Sequence, residues 1–299
     1  MGAFSSAPQA ESLPCHRLYQ AHSQTNNRVD ILRLDNMHPV VSGNKWFKLK
    51  YNIEAAIAGG HKCLLSCGGV HSNHLHALAK AGQYFNLKTH ALVRGYASLA
   101  LTPTLLDCQS MGMEIDFVNK KTYQRRYDPL WCQQQAQYFS SYWVAEGGNN
   151  ELGIQGCADI ANACLNTEVD YDEIWLSIGS GCTFKGVERA LPEHIKLRGV
   201  LAIKGGQALA AELLSEAVHP HRCQFELEGH FGGFGRCPSE LQTLIHQYDA
   251  ENLPLDPVYT AKLVAVFEQN WRAGSLSADN NYLLIHSGGL QGRRGIVGL

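Results

Sequence analysis

The chain has 299 residues, 45% of them hydrophobic, and 25 lysines and arginines against 27 acids leave a net charge of −2. That length and apolar content suit a soluble globular chain of one large or two modest domains. The charge balance gives no argument for nucleic acid or an anionic membrane as partner, and no apolar run approaches a membrane-spanning helix.

The opening "MGAFSSAPQAES" lacks the basic and apolar regions of a secretory signal, and its small polar residues predict a frayed terminus. Gly2 and Ser6 fit the N-myristoylation pattern, which is short enough to match by chance. Ten cysteines are scattered from Cys15 to Cys237 without a CxxC pair. Cys63 and Cys67, four apart, hint weakly at metal; the expectation is free buried thiols in a reducing cytoplasm.

The first strongly periodic stretch is "SGNKWFKLKYN", residues 42–52. Trp46, Leu49, Ile53 and Ile57 predict a helix with one buried face, and Asn44 stands where an N-cap is expected. Lys45 and Lys48 are neighbours on its first turn, where the helix dipole disfavours cations. Solvated surface is the ordinary fate of a lysine. The alternative is an anion docked at the helix start and an amine with chemical work.

Beyond this helix, short strands alternate with helices. "KCLLSC" reads as a strand and "HLHALAKAGQYF" as a helix; "THALVRG" as a strand and "LTPTLLDCQSMG" as a helix. "MEIDFVN" and "YWVAEGG" are further strands with helical sequence between them. "YDEIWLSIGSG" is a strand ending in a glycine loop, "LRGVLAIKGG" precedes the helical "QALAAELLSEAV", and "NYLLIHSGG" closes the series. This rhythm predicts α/β architecture with parallel sheets, in which sites lie beyond the carboxyl ends of strands. No internal repeat or long linker interrupts it.

Three stretches hold candidate chemistry. In "CGGVHSNHLH", Ser72 or Asn73 is a good N-cap; equally, Asn73 offers an amide and Ser72 a hydroxyl to a site. His71, His74 and His76 raise the question of zinc, but no carboxylate or cysteine falls at ligand spacing, so no metal is expected. In "SIGSGCTFKG", the backbone N–H groups of Gly179, Ser180, Gly181 and Cys182, with the hydroxyls of Ser180 and Thr183, could wrap a phosphate. The stretch is neither a Walker A loop nor a dinucleotide fingerprint, and a plain tight turn would use glycine as well. In "LDPVYTAK", Pro257 ends a loop and Tyr259 and Thr260 sit on the first turn of a helix, where a cap and a packed aromatic would suffice.

Taken in order, "SGNKWFKLKYN", "GGVHSNHLHALA", "GSGCTFKG", "DPVYTAK" and "LLIHSGG" resemble the pyridoxal-phosphate enzymes grouped as 1-aminocyclopropane-1-carboxylate deaminases and D-cysteine desulfhydrases. The resemblance runs from "RLD" at Arg33 to the last strand. It implies the tryptophan-synthase-β-like fold, fold type II: two open twisted, mostly parallel sheet domains with the cofactor, pyridoxal 5'-phosphate, between them. Residues 49–160 would form the small domain, inserted in a large one made of 1–48 and 161–299. Lys45 would carry the cofactor as a Schiff base and Lys48 would reach its phosphate, held by the loop of Gly179, Ser180, Gly181, Cys182 and Thr183. Asn73 would bond the ring's phenolic oxygen, Ser72 would face the substrate, Tyr259 would lie by the ring and Thr260 would face the pyridine nitrogen. The helix start at Ser72 to His74 would seat the substrate carboxylate. A lysine doing this must lose its proton, and a desolvated, positively charged neighbourhood favours that.

Two positions depart from the deaminase branch. Its glutamate after the "DPVY" tyrosine is Thr260 here, as in the desulfhydrase branch, and its tyrosine before the loop is Phe234. Both favour loss of an α-proton and a β-leaving group over ring opening. The resemblance therefore implies a cytoplasmic lyase eliminating from D-cysteine or a related β-substituted amino acid to pyruvate and ammonia, with Lys45, Ser72 and Tyr259 catalytic. The alternatives are 1-aminocyclopropane-1-carboxylate deamination to α-ketobutyrate and a non-catalytic or regulatory pyridoxal-phosphate-binding protein. A homodimer with a small amino acid as its partner is implied too.

Overall fold

The structure is a computed structural model that describes residues 15–20, 28–37, 41–98, 100–296 and 298–299. The Gly2 and Ser6 pattern and the expected frayed terminus lie outside the described residues. Among the described residues ten strands form two sheets. The larger has the order β1 (Cys15–Gln20), β2 (Arg28–Arg33), β10 (Tyr282–His286), β7 (Glu173–Ile178), β8 (Lys196–Leu201), β9 (Cys223–Glu226). Only β1 runs antiparallel there; all its other pairings are parallel. The smaller is wholly parallel, in the order β5 (Met113–Val118), β4 (Lys88–Arg94), β3 (Cys63–Gly69), β6 (Tyr142–Trp143). Two α/β domains with mostly parallel sheets are thus present: the alternating sequence predicts the parallel α/β architecture, and the resemblance implies the two domains.

The central strands are apolar and buried on both faces, as covered parallel strands must be. Every residue of β7 and of β10 is buried. One face of the large sheet packs on α6 (Glu151–Leu165), α7 (Cys182–Ala190) and α8 (Gln207–Glu216), through residues such as Ile160, Phe184 and Leu213. The other packs on α9 (Ser239–Ala250) and α10 (Thr260–Arg272), through Ile245 and Phe267 against Trp175. The small sheet has its own core, in which Leu64 and Ala91 meet Leu78 of α2 (Asn73–Phe85) and Leu105 of α3 (Pro103–Ser110).

Helix α1 (Asn44–Ala58) joins the two cores. Phe47 packs with the large-sheet cluster, while Trp46, Leu49 and Ile53 pack with the small-sheet one. Two expectations for this helix are corrected. Asn44 is its first helical residue and the N-cap is Gly43. Gly43 has φ +74°, and a Cβ there would lie 2.3 Å from the Ser287 carbonyl oxygen, so the close approach of α1 to the end of β10 requires glycine. Ile57, at the last turn, is 39% exposed rather than buried. The strand read in "YWVAEGG" is only two residues long, because Gly147 and Gly148, both at φ +68°, turn the chain into a 3-10 turn. All ten cysteines are free, and among the described residues no helix is long and apolar enough to cross a membrane.

Candidate functional site

The carboxyl ends of β3 and β7 and the loop after β10 open onto one cavity of about 570 Å³, with walls from both domains. A smaller chamber of about 240 Å³ shares Asn44, Lys45, Asn73 and Tyr259 with it. On the main wall stand Lys45, Lys48, Ser72, Asn73, His74, Gly179, Ser180, Gly181, Thr183, Phe234 and Tyr259. Of the residues singled out in the sequence, Cys182 and Thr260 lie behind the wall rather than on it.

Lys45 is held at the start of α1, whose first N–H, that of Asn44, donates to the Ser287 carbonyl at 3.0 Å. Its Nζ donates to Asn44 Oδ1 at 3.3 Å. Burial, and secondarily the neighbouring charge of Lys48, bring its pKa down to about 7. A large fraction of Lys45 is therefore neutral amine near neutral pH, the form that acts as nucleophile or base. Lys48 is 4% exposed, and no carboxylate pairs with it among the described residues. A buried ammonium is costly unless an anion meets it.

The loop after β7 supplies the other half of an anion site. Gly181 has φ +82° and is the N-cap of α7, with no side-chain cap, and both Gly181 and Thr183 line the cavity. At Gly179 a Cβ would stand 2.9 Å from Tyr259 Oη, so only glycine lets the loop and the phenol meet. Ser177 Oγ, on the wall, is buried and has no hydrogen-bond partner among the described residues. Cys182, at the first turn of α7, has its thiol pKa lowered by a hydrogen bond from Cys157 and by Lys48, Lys45 and Lys185, against the opposing effect of burial.

Helix α2 begins at the cavity wall. Ser72 is its N-cap and accepts from the Leu75 N–H at 3.2 Å. His74 is buried, and burial followed by Lys45 and Lys48 pushes its pKa down to about 3, so the ring is neutral. Ser66 Oγ donates to the Val144 carbonyl at 2.7 Å and so accepts from His74 Nε2 at 2.9 Å, leaving Nδ1 as a lone-pair acceptor without a partner. His74 can serve a carboxylate seat through the helix-start backbone, not as a cation. His76 turns away to Asp107, at 3.2 Å, and His71 is an exposed wall residue. Among the described residues no three His, Cys, Asp or Glu side chains gather to hold a metal.

Tyr259 precedes α10, and burial raises its phenol pKa, keeping it protonated. Phe234 meets it edge-on at 5.9 Å between ring centroids. Thr260 is fully buried, and its hydroxyl lies 3.5 Å from Nδ1 of His286, which also accepts from the Gly288 N–H at 3.1 Å.

Three groups were missed by the sequence reading. Asp256 is fully buried; its Oδ1 accepts from the N–H groups of Val258 and Tyr259, and its Oδ2 from that of Thr260 at 2.7 Å, so it sets the turn that presents Tyr259. The Asp-Pro pair was the available signal. Glu146, on the wall, is engaged by Tyr123 and Arg126. Gln291 donates to Asn73 Oδ1 at 2.9 Å. Nothing local marks the last two.

The arrangement fits pyridoxal phosphate. A buried lysine without a carboxylate partner among the described residues and a glycine turn at a helix start suit its phosphate, a lysine of lowered pKa suits its aldehyde, and among the described residues the Ser177 hydroxyl and His74 Nδ1 have no hydrogen-bond partner. Residues 8–231 match the family described as "Pyridoxal-phosphate dependent enzyme". A Thermotoga maritima protein, provisionally named as a 1-aminocyclopropane-1-carboxylate deaminase, is 28% identical over 88% of this chain and 88% of its own. A D-cysteine desulfhydrase of Serratia proteamaculans is 25% identical over 92% of this chain and 91% of its own. Among solved structures, one described as an ACC deaminase homologue superposes with a TM-score of 0.79 at 24% identity, covering 94% of this chain and 90% of that one, which speaks for the fold.

Proposed function

The chain belongs to the pyridoxal-phosphate dependent enzymes, with pyridoxal 5'-phosphate as cofactor, and on that premise we propose that it eliminates the β-substituent of D-cysteine or a related amino acid. Water completes the reaction, and the products are pyruvate, ammonia and, from cysteine, sulfide. The bound cofactor supplies a sink for the electron pair left at the substrate's α-carbon. Lys48 and the loop 179–183 bind its phosphate, the amide of Asn73 donates to its ring oxygen, and Tyr259 flanks the ring. The start of α2, from Ser72 to His74, seats the substrate carboxylate on the N–H groups of Asn73 and His74, that of Ser72 donating to the Gly69 carbonyl at 3.1 Å. Lys45, neutral because it is desolvated, takes the α-proton as general base.

A single observation carries elimination over ring opening. The one carboxylate on the main cavity wall among the described residues is Glu146, and both its oxygens are engaged by Tyr123 and Arg126. No free carboxylate stands on that wall to hold the ring nitrogen protonated, and the residue after Tyr259 is Thr260, a buried hydroxyl behind the wall, rather than an acid. The weaker electron sink suffices when a β-leaving group drains the charge at once. Phe234 adds an unsubstituted ring where a phenol could have assisted.

The second reading is deamination of 1-aminocyclopropane-1-carboxylate to α-ketobutyrate. The name of the Thermotoga relative favours it, as does the presence of Ser72 and Tyr259 on one wall. Both readings place the cofactor on Lys45. Borohydride reduction of the holoenzyme should fix it to the peptide containing Lys45. Label on another lysine, including the buried Lys262, would overturn the assignment.

A further inference from the structure

Asn73 opens α2 and lies on the walls of both the main cavity and the smaller chamber. A side-chain amide has one acceptor end and one donor end. The Oδ1 end is turned to Gln291, whose Nε2 donates to it at 2.9 Å. Nδ2 is the end left to serve the cavity. A Cβ on Gly289 would fall 2.7 Å from that nitrogen, so the chain beside it fits the amide closely.

Gln291 stands in a 3-10 turn, Leu290–Gly295, that is tied down on both sides of the cavity. Arg293 Nη1 donates to Asp249 Oδ1 of α9 at 2.8 Å, in the large domain. Arg294 Nη1 donates to Asp107 Oδ1 of α3 at 3.3 Å, beneath the small sheet, and His76 meets the same carboxylate. These pairs hold the backbone of the turn that presents Gln291 to Asn73.

We propose that Gln291 is a positioning residue: it locks the amide of Asn73 so that Nδ2, and not Oδ1, faces the cofactor's ring oxygen. This rests on the role proposed above for Asn73. A donor there stabilises the ring oxygen as an anion, whereas a reversed amide would set oxygen lone pairs against it.

The test compares holoenzymes of Gln291→Glu, Gln291→Met and Asn73→Ala by the maximum and pH midpoint of the visible absorption band and by cofactor affinity. Glutamate cannot donate to Oδ1 and accepts from Nδ2, so it reverses the amide. In Gln291→Glu the band should move in the same direction as in Asn73→Ala, with cofactor affinity down about tenfold, the scale of one lost hydrogen bond. Gln291→Met should move it less, and adding Gln291→Glu to Asn73→Ala should move it no further. An unshifted band in both Gln291 variants, with Asn73→Ala shifted, overturns the positioning role and leaves that of Asn73 standing. Should the glutamate variant not fold, the methionine variant decides alone. An unshifted band in Asn73→Ala removes the role of Asn73 and the inference with it.

Discussion

Asn44 Nδ2 donates to Thr183 Oγ1 at 3.0 Å, a buried bond between residues 139 apart in sequence. It joins the turn that carries Lys45 to the loop that faces it. The same Asn44 side chain accepts from Lys45 Nζ through its Oδ1. One amide thus ties the amine and the anion cradle together, and the distance between them is built into the fold before any ligand arrives.

Lys48 supplies the charge for that cradle. Lys48→Ala should remove a charge-assisted hydrogen bond worth about 1.5–3 kcal/mol. Equilibrium titration should then show cofactor affinity lowered by roughly ten- to a hundredfold or more. Unchanged affinity would mean that Lys48 is not a phosphate ligand.

Lys45 should mark the pH dependence of the apoprotein's stability. Its pKa falls from 10.5 to about 7 on folding, through burial and then Lys48, with Cys182, Cys157 and Asp256 opposing. Between those values the unfolded chain binds the extra proton, so stability rises with pH across the window. Below pH 7 the full cost of the buried charge is present. Urea melts should therefore show Lys45→Met more stable than the wild-type apoprotein at pH 7, with the gap narrowing towards pH 10. Lys262, lowered to about 8 by burial, titrates in both proteins and cancels from the difference.

Asp256 holds three backbone N–H groups with its two oxygens. In Asp256→Asn the amide nitrogen must face at least one of those donors. The expected loss is about 1–3 kcal/mol of stability, the cost of leaving a buried donor unsatisfied. Turnover should fall as well, because Tyr259 is presented by the same turn. Urea melts and steady-state rates on the same preparation measure both.

The strands β3, β4, β7, β8 and β10 are legible because short apolar runs end in glycine, and β5 because apolar and acidic residues alternate in "MEIDFV". β2 is not, because its pattern is broken by Asp30 and Arg33, both buried; Asp30 accepts from Tyr171 Oη at 2.6 Å. The antiparallel β1 and the short edge strand β9 carry no comparable signal. In the site, Lys45, Lys48, Ser72, Asn73 and the glycine loop could be picked out by local spacing, and the fold brings them to one wall. Asn44 was misread as a cap, since the glycine before it is needed for close approach to Ser287. Gln291 could not be read at all: its contact with Asn73 spans 218 residues and depends on how the two domains meet.

The central claim is that this cavity eliminates a β-substituent rather than opening a cyclopropane ring. Incubating the purified holoenzyme with each enantiomer of cysteine, with β-chloroalanine and with 1-aminocyclopropane-1-carboxylate, and identifying the keto acid formed, tests it most directly. The expected result is pyruvate from D-cysteine or a close β-substituted analogue, and little or no α-ketobutyrate. Robust α-ketobutyrate from the cyclopropane amino acid, with no pyruvate from any β-thiol or β-chloro substrate, would contradict it.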